Sequence, residues 1–142
     1  MSALAAPALP AADAEPIPAQ RMAAAGLRAF ERIAQAWGLT VDEQLRLLGQ
    51  PPRSTYFAWR KHPGQASVPR DTLERLSDLL GIWKSLQILL PEPAAADAWL
   101  RKPNAAAGFG GRSALERMLA GNVSDLHFVR RYLDGVRGGG WS

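Results

Sequence analysis

The stretch TVDEQLRLLGQPPRSTYFAWRK (Thr40–Lys61) decides how the chain is read. Thr40 and Glu43 have the spacing of a capping box, in which each side chain satisfies the other's free backbone N–H. Val41, Leu45 and Leu48 then give a short helix one apolar stripe. Gly49-Gln50-Pro51-Pro52 breaks it, and Arg53–Lys61 has the length and pattern of a second short helix, ended by His62-Pro63-Gly64. Two short helices joined by a four-residue turn have helix-turn-helix proportions. Charge points the same way. No acid occurs from Gln44 to Arg70, a span that holds Arg46, Arg53, Arg60, Lys61 and Arg70. Tyr56 and Trp59, three apart, are expected on the core. Arg53, Ser54, Phe57 and Ala58 then face outward toward a groove, with Thr55 beside Ser54 as a short donor. Arg60 and Lys61 are placed to clamp phosphate. A charge run by itself more often marks a solvated face. Here turn length, charge segregation and helix order agree.

Helices extend in both directions from this unit. Upstream, Leu27, Phe30, Ala34 and Trp37 recur at three- and four-residue spacing, which predicts a helix over 22–37 stopped by Gly38. Residues 1–20, rich in Ala and Pro, read as a flexible tail. Downstream, a long helix is expected from Pro69–Asp71, with Leu73, Leu76, Leu80, Trp83, Leu86 and Leu90 as its stripe and Pro91 and Pro93 as its stop. Leu79, Ile82, Ile88 and Leu89 spread apolar surface beyond one face, so a second element or a second subunit should cover it. A dimer through Leu79, Ile82, Trp83, Leu86 and Leu90 is the expectation, because it would place two recognition helices on inverted half-sites.

A short helix over 94–102 carries Trp99 and Leu100 and stops at Pro103-Asn104. Ser113 and Glu116 form another capping box. Ser124 is expected to cap a last helix lined by Leu126, Val129, Leu133 and Val136, with Val123 stapled onto Phe128. No segment alternates in the manner of a strand. The fold class is therefore all-α, with a boundary near Pro63–Val68 or Pro91.

Composition narrows the function classes. The chain has 142 residues, 47% of them hydrophobic and 21% charged, enough to build a core. It has no Cys, which removes disulfides, thiolate metal sites and a cysteine nucleophile. No apolar run approaches the roughly 20 residues of a membrane span, and no signal peptide is evident, so a cytoplasmic protein is expected. His62 and His127 have no partners at ligand spacing, so no metal is expected. Ser124, Asp125 and His127 point in different directions on one helical turn and make no catalytic set. Gly110-Gly111-Arg112-Ser113 lacks the pattern of a nucleotide loop and reads as a tight turn. Trp37, Trp59, Trp83 and Trp99 fall at apolar positions, whereas Trp141 follows three glycines with nothing obvious to pack on.

From Arg70 onward, LERLSDLLGIWKSLQILLP, AWLRKPN and FGGRSALERMLAGNVSDLHFVRRYLDGVRGGGW resemble the C-terminal domain of Xre/MbcA/ParS-type antitoxins. The order Trp99, Pro103-Asn104, Gly110-Gly111-Arg112-Ser113, Leu126, Val129-Arg130 and Tyr132-Leu133 carries the resemblance. The helix-turn-helix region is similar to the Xre-like domain that precedes it in that family. The resemblance implies an N-terminal helix-turn-helix bundle over 21–67 and a small helical toxin-binding domain over 68–142. It implies a non-enzymatic antitoxin that covers the active site of a RES-domain toxin, which consumes NAD or transfers ADP-ribose from it. It also implies binding to operator DNA and repression of its own operon. NAD would belong to the partner, and no cofactor is expected here. Arg130, Arg131 and Arg137 are the cations expected to enter the toxin's cleft, with Gly139 letting the tail pass a wall and Trp141 filling a slot. The rival readings are a plain helix-turn-helix regulator answering a small molecule or another protein, and a small nucleotide-using enzyme.

Overall fold

The computed structural model describes residues 18–138, and among them every regular element is helical. The elements are α1 (Pro18–Trp37), α2 (Val41–Leu47), α3 (Arg53–Lys61), a 3-10 turn (Pro63–Gln65), α4 (Arg70–Leu89), α5 (Pro93–Arg101), α6 (Ala114–Met118) and α7 (Val123–Arg137).

Helix α1 starts at Pro18, four residues before the expected Met22. Proline suits a first turn, where its missing N–H has no helical partner to lose. Gln20 Nε2 donates to Gly64 O at 3.0 Å and anchors that turn to the 3-10 segment, so residues 18–20 are helix rather than tail. Residues 1–17 lie outside the described residues. Leu27, Phe30, Ile33 and Trp37 form the buried stripe, and Phe30 meets Tyr56 of α3 edge-on at 6.5 Å. Burying a ring such as that of Phe30 stabilises the fold by about 1.5–3 kcal/mol.

The expected capping box opens α2: Thr40 Oγ1 accepts from Glu43 N at 3.1 Å, and Glu43 Oε1 accepts from Thr40 N at 2.9 Å. The α2–α3 turn reverses through left-handed backbone at Gly49 (φ 94°) and Gln50 (φ 62°). Gly49 is required twice over. A Cβ there would stand 2.7 Å from Asp71 Oδ2 and 3.0 Å from Arg75 Nε, because the first turn of α4 packs against this loop. Thr72 Oγ1 donates to Leu48 O at 2.9 Å across the same contact.

Helix α4 packs against both α1 and α7, and this arrangement corrects part of the surface expected to carry a dimer. Leu79, Ile82 and Leu86 are 0–1% exposed within the single chain. These three side chains are covered intramolecularly and are not an association surface, whereas Ile88 of the same helix is 52% exposed. Trp83 is half-buried with its ring 6.2 Å from that of Trp37, and Leu90 is also half-buried against the core.

The C-terminal half is organised by an aromatic cluster. Phe109 is fully buried, with Phe128, Tyr132 and Trp99 at centroid distances of 5.0, 5.2 and 6.3 Å. The loop before α6 is pinned by a bridge between Pro103 and Ser113, and Ser113 caps α6 with Glu116 as expected. The cap of α7 is Asn122, not Ser124, and the helix starts at Val123. Asp125 is the reason. Its carboxylate accepts from Asn122 N at 3.3 Å and from Arg117 Nε at 2.9 Å, so the buried acid sets the helix start.

Candidate functional site

Helix α3 presents two faces. Tyr56 and Trp59 are buried, as their spacing predicts, while Arg53, Ser54, Phe57, Ala58 and Lys61 are exposed and Thr55 and Arg60 are half-buried. Phe57 is one of few large apolar side chains left in solvent, at 41% exposure. A buried hydrogen-bond chain fixes this orientation: Tyr56 OH donates to Gln44 Oε1 at 2.7 Å, and Gln44 Nε2 donates to Leu39 O at 3.0 Å. Burial pushes the Tyr56 hydroxyl up to about 12, with Arg60 pulling it down and Glu31 pushing it up by lesser amounts. The phenol therefore stays protonated and remains the donor in that chain.

The acid-free stretch is not acid-free in space. Asp42 of α2 pairs with Arg53 at 2.5 Å, and Glu31 of α1 pairs with Arg60 at 3.2 Å. Arg60 also lies 5.8 Å from the ring centres of both Tyr56 and Phe57. These acids come from neighbouring helices, so the linear charge pattern could not reveal them. They tie the two guanidinium groups of α3 to α2 and α1.

A second cationic region lies along α7, and there too the fold engages residues expected to be free. Arg130 crosses α4 above Gly81. Its Nη1 donates to Ser77 O at 3.1 Å and lies 3.5 Å from Asp78 Oδ1, while its Nε lies 3.7 Å from Asp134 Oδ2. Gly81 leaves the room: a Cβ there would be 2.6 Å from Arg130 Cζ. Arg137 Nη1 donates to Ser85 Oγ at 3.3 Å, and Arg131 is exposed. Lys84, Arg130, Arg137 and the single acid Asp134 surround a depression of about 450 Å³. Gly139 and Trp141 lie outside the described residues.

Sequence reading missed the surroundings of His127. Its Nε2 is 3.0 Å from Glu74 Oε2, and its Nδ1 contacts Asp78 Oδ2. Burial pushes the Asp78 carboxyl above its ordinary range, opposed by His127 and Arg130. The spacing Glu74–Asp78, one helical turn, was the available signal. Among the described residues no group of three or more His, Asp and Glu side chains is arranged to hold a metal ion. The glycine loop does what a turn does. Gly108, Gly110 and Gly111 all have positive φ, and the loop carries Phe109 into the core. No helix of the described residues is long and apolar enough to cross a membrane.

Comparison with known proteins agrees with this geometry. Residues 16–81 match the model of the antitoxin Xre-like helix-turn-helix domain, and residues 85–139 match that of the antitoxin Xre/MbcA/ParS C-terminal toxin-binding domain. The two ranges meet inside α4. The chain is also 48% identical over 130 residues to the uncharacterized protein y4oB of Sinorhizobium fredii (strain NBRC 101917 / NGR234), covering 92% of this chain and 93% of that one. The two domains adjoin in the family's order on an all-helical fold, and the chain belongs to the Xre/MbcA/ParS family of antitoxins.

Proposed function

We propose that this antitoxin neutralises a RES-domain toxin, one that consumes NAD or transfers ADP-ribose from it, and that it represses its own operon through α3. The observation that carries the reading is the separation of two cationic surfaces on one helical body. One is the solvent face of α3, with Arg53, Ser54, Phe57 and Lys61 exposed. The other is the end of α7, with Arg131 exposed and Arg130 and Arg137 around a depression beside α4. A cleft that accepts the pyrophosphate of NAD attracts cations of this kind, and Gly139 and Trp141 follow this helix in the sequence. With the division placed at 67/68, α4 counts with the toxin-binding part, although the match to the helix-turn-helix model runs to residue 81. Two copies on an operator of inverted half-sites complete the proposal, associating through surface other than Leu79, Ile82 and Leu86.

The test is separation of function. Arg53→Ala with Arg60→Ala should weaken operator binding and leave toxin neutralisation intact. Deleting residues 138–142 should leave DNA binding intact and relieve inhibition of a co-expressed RES toxin. Loss of an indole anchor at an interface is worth about 2–4 kcal/mol. A truncated chain that neutralises at unchanged stoichiometry and affinity would refute tail insertion.

A further inference from the structure

Helices α1 and α4 cross at Gly26, where a Cβ would stand 3.5 Å from Leu76 Cδ1. To one side of that contact the helices leave an open groove of about 790 Å³. Its floor is Ala25, Gly26 and Ala29 from α1 and Leu73, Leu76 and Leu80 from α4. Met22 stands at its edge, 68% exposed. Arg32, Lys84 and Arg130 also line it, and among the described residues no acidic side chain does. Lys84 and Arg130 also border the depression at the end of α7, but the apolar floor belongs neither to that depression nor to α3.

We propose that the α1–α4 groove is a docking seat for an amphipathic helix of a partner protein, with apolar side chains on the Ala–Leu floor and acidic side chains against Arg32, Lys84 and Arg130. Dimensions support a helix. From Met22 to Arg32, and from Leu73 to Lys84, each wall runs for about 15–17 Å, the length of roughly three helical turns. Small residues on α1 let a third helix approach closely, and a flexible exposed Met adapts to the side chains it meets. Charge selects the occupant. A second copy offering its own α1–α4 face would bring Arg32 and Lys84 toward the same cations. An acidic helix meets them with opposite sign.

The groove is also placed so that its occupant and DNA need not compete. Met22 and Glu31, the acid that holds Arg60, are about two and a half turns apart on α1 and so face opposite flanks.

The experiment uses the full chain and two synthetic 16-residue peptides with the same leucine stripe at i, i+3, i+4 and i+7. One carries glutamates on its flanks and the other lysines. Fluorescence anisotropy should show binding of the glutamate peptide, at least about tenfold weaker binding of the lysine peptide, and a similar loss with Met22→Gln/Ala25→Gln. Both substituted residues are exposed, and unchanged affinity of that variant for duplex DNA reports an intact fold. Lys84→Glu should weaken the glutamate peptide and strengthen the lysine one. Equal binding of both peptides, or binding indifferent to Met22→Gln/Ala25→Gln, overturns the proposal. So does a dimer in sedimentation that this variant dissociates, which would make a second copy the occupant. A tenfold gain in peptide affinity on removing residues 1–17, which include Asp13 and Glu15, would make the chain's own N-terminus the occupant and overturn it as well.

Discussion

Removing Glu31, an acid of α1 that pairs with a cation of α3, should tighten DNA binding. Glu31 belongs to α1, yet its carboxylate is 3.2 Å from Arg60 Nη2 on α3, with the two side chains 51% and 32% exposed. An ion pair this exposed is worth about 0–1 kcal/mol, so Glu31→Gln leaves stability almost unchanged. Its effect on DNA is larger. In the wild-type chain Arg60 must divide its charge between Glu31 and a phosphate, and the carboxylate itself repels the backbone. At about 8 Å in a water-like medium that repulsion is about 0.5 kcal/mol. Together with up to about 1 kcal/mol from the released pair, Glu31→Gln should tighten binding by about 0.5–1.5 kcal/mol, or roughly two- to twelvefold. The slope of log K against log salt should steepen by up to about 0.9, the value for one more neutralised phosphate. Arg60→Ala should flatten the slope by a similar amount. Fluorescence anisotropy on a 20-base-pair duplex between 50 and 200 mM salt reads both effects, because the phosphate contribution does not depend on sequence. Asp97→Asn is the control. It removes the same charge from an i,i+4 pair with Arg101 on α5, away from α3. If Asp97→Asn changes affinity and slope as much as Glu31→Gln does, the protein responds only to net charge, and α3 is not the DNA-facing helix.

Three further outcomes follow from buried features. Arg117 Nε donates to the Asp125 carboxylate at 2.9 Å, and its guanidinium lies 4.0 Å from the Phe128 ring centre, with both partners of the ion pair largely buried. Arg117→Met should therefore destabilise the chain by about 3–5 kcal/mol in urea unfolding, since it strands a buried carboxylate; a loss under about 1 kcal/mol would contradict that burial. Gly108→Ala places a Cβ 2.5 Å from Phe128 Cε1 at a residue with φ of 93°, and should lower stability by about 2–3 kcal/mol through strain and displacement of that ring. Asp78 has its carboxyl raised above the ordinary value of 3.8, chiefly by burial. A group raised on folding stabilises fully below its unfolded value and loses that contribution as pH climbs through its folded value. Wild type should therefore lose stability relative to Asp78→Asn as pH rises from about 4 toward neutrality, and a relative gain in paired urea titrations would contradict the sign.

The helices were legible because each is written locally. Thr40 with Glu43, Ser113 with Glu116, and the breaks at Gly38, Pro51-Pro52 and Pro91 are signals contained within a few residues. Where local signals competed, the boundary moved. Ser124 is a good cap by residue type, but Asp125 is buried against Arg117, and that tertiary contact puts the start at Asn122. The coverage of α4 was harder to read. A helix apolar on several sides states that something covers it, and only the three-dimensional course of α7 shows that the cover belongs to the same chain.

The functional surfaces were less legible for a related electrostatic reason. A sequence displays the cations of α3 and α7 but not which acids the fold returns to them. Asp42 and Glu31 come back to Arg53 and Arg60 from α2 and α1, and Asp78 comes back to Arg130 from α4, beside its local i,i+4 partner Asp134. The two sets of pairings differ in consequence. Arg53–Asp42 and Arg60–Glu31 are solvent-accessible pairs that a phosphate can take over at a cost of about 0–1 kcal/mol each. Arg130 also donates to a backbone carbonyl of α4 and neighbours a buried carboxylate, so withdrawing it would leave Asp78 with less compensation in the interior. Arg130 is therefore a fixed charge that a partner must approach where it stands. The exposed Arg131 has no such tether among the described residues and can follow a partner's surface. On the proposed toxin-binding role of this surface, one anchored and one exposed cation predict unequal effects. Arg131→Ala should weaken a toxin complex without lowering thermal stability, whereas Arg130→Ala should lower both. Equal stability of the two variants would show that the Arg130 contacts with Ser77 and Asp78 carry no weight in the fold.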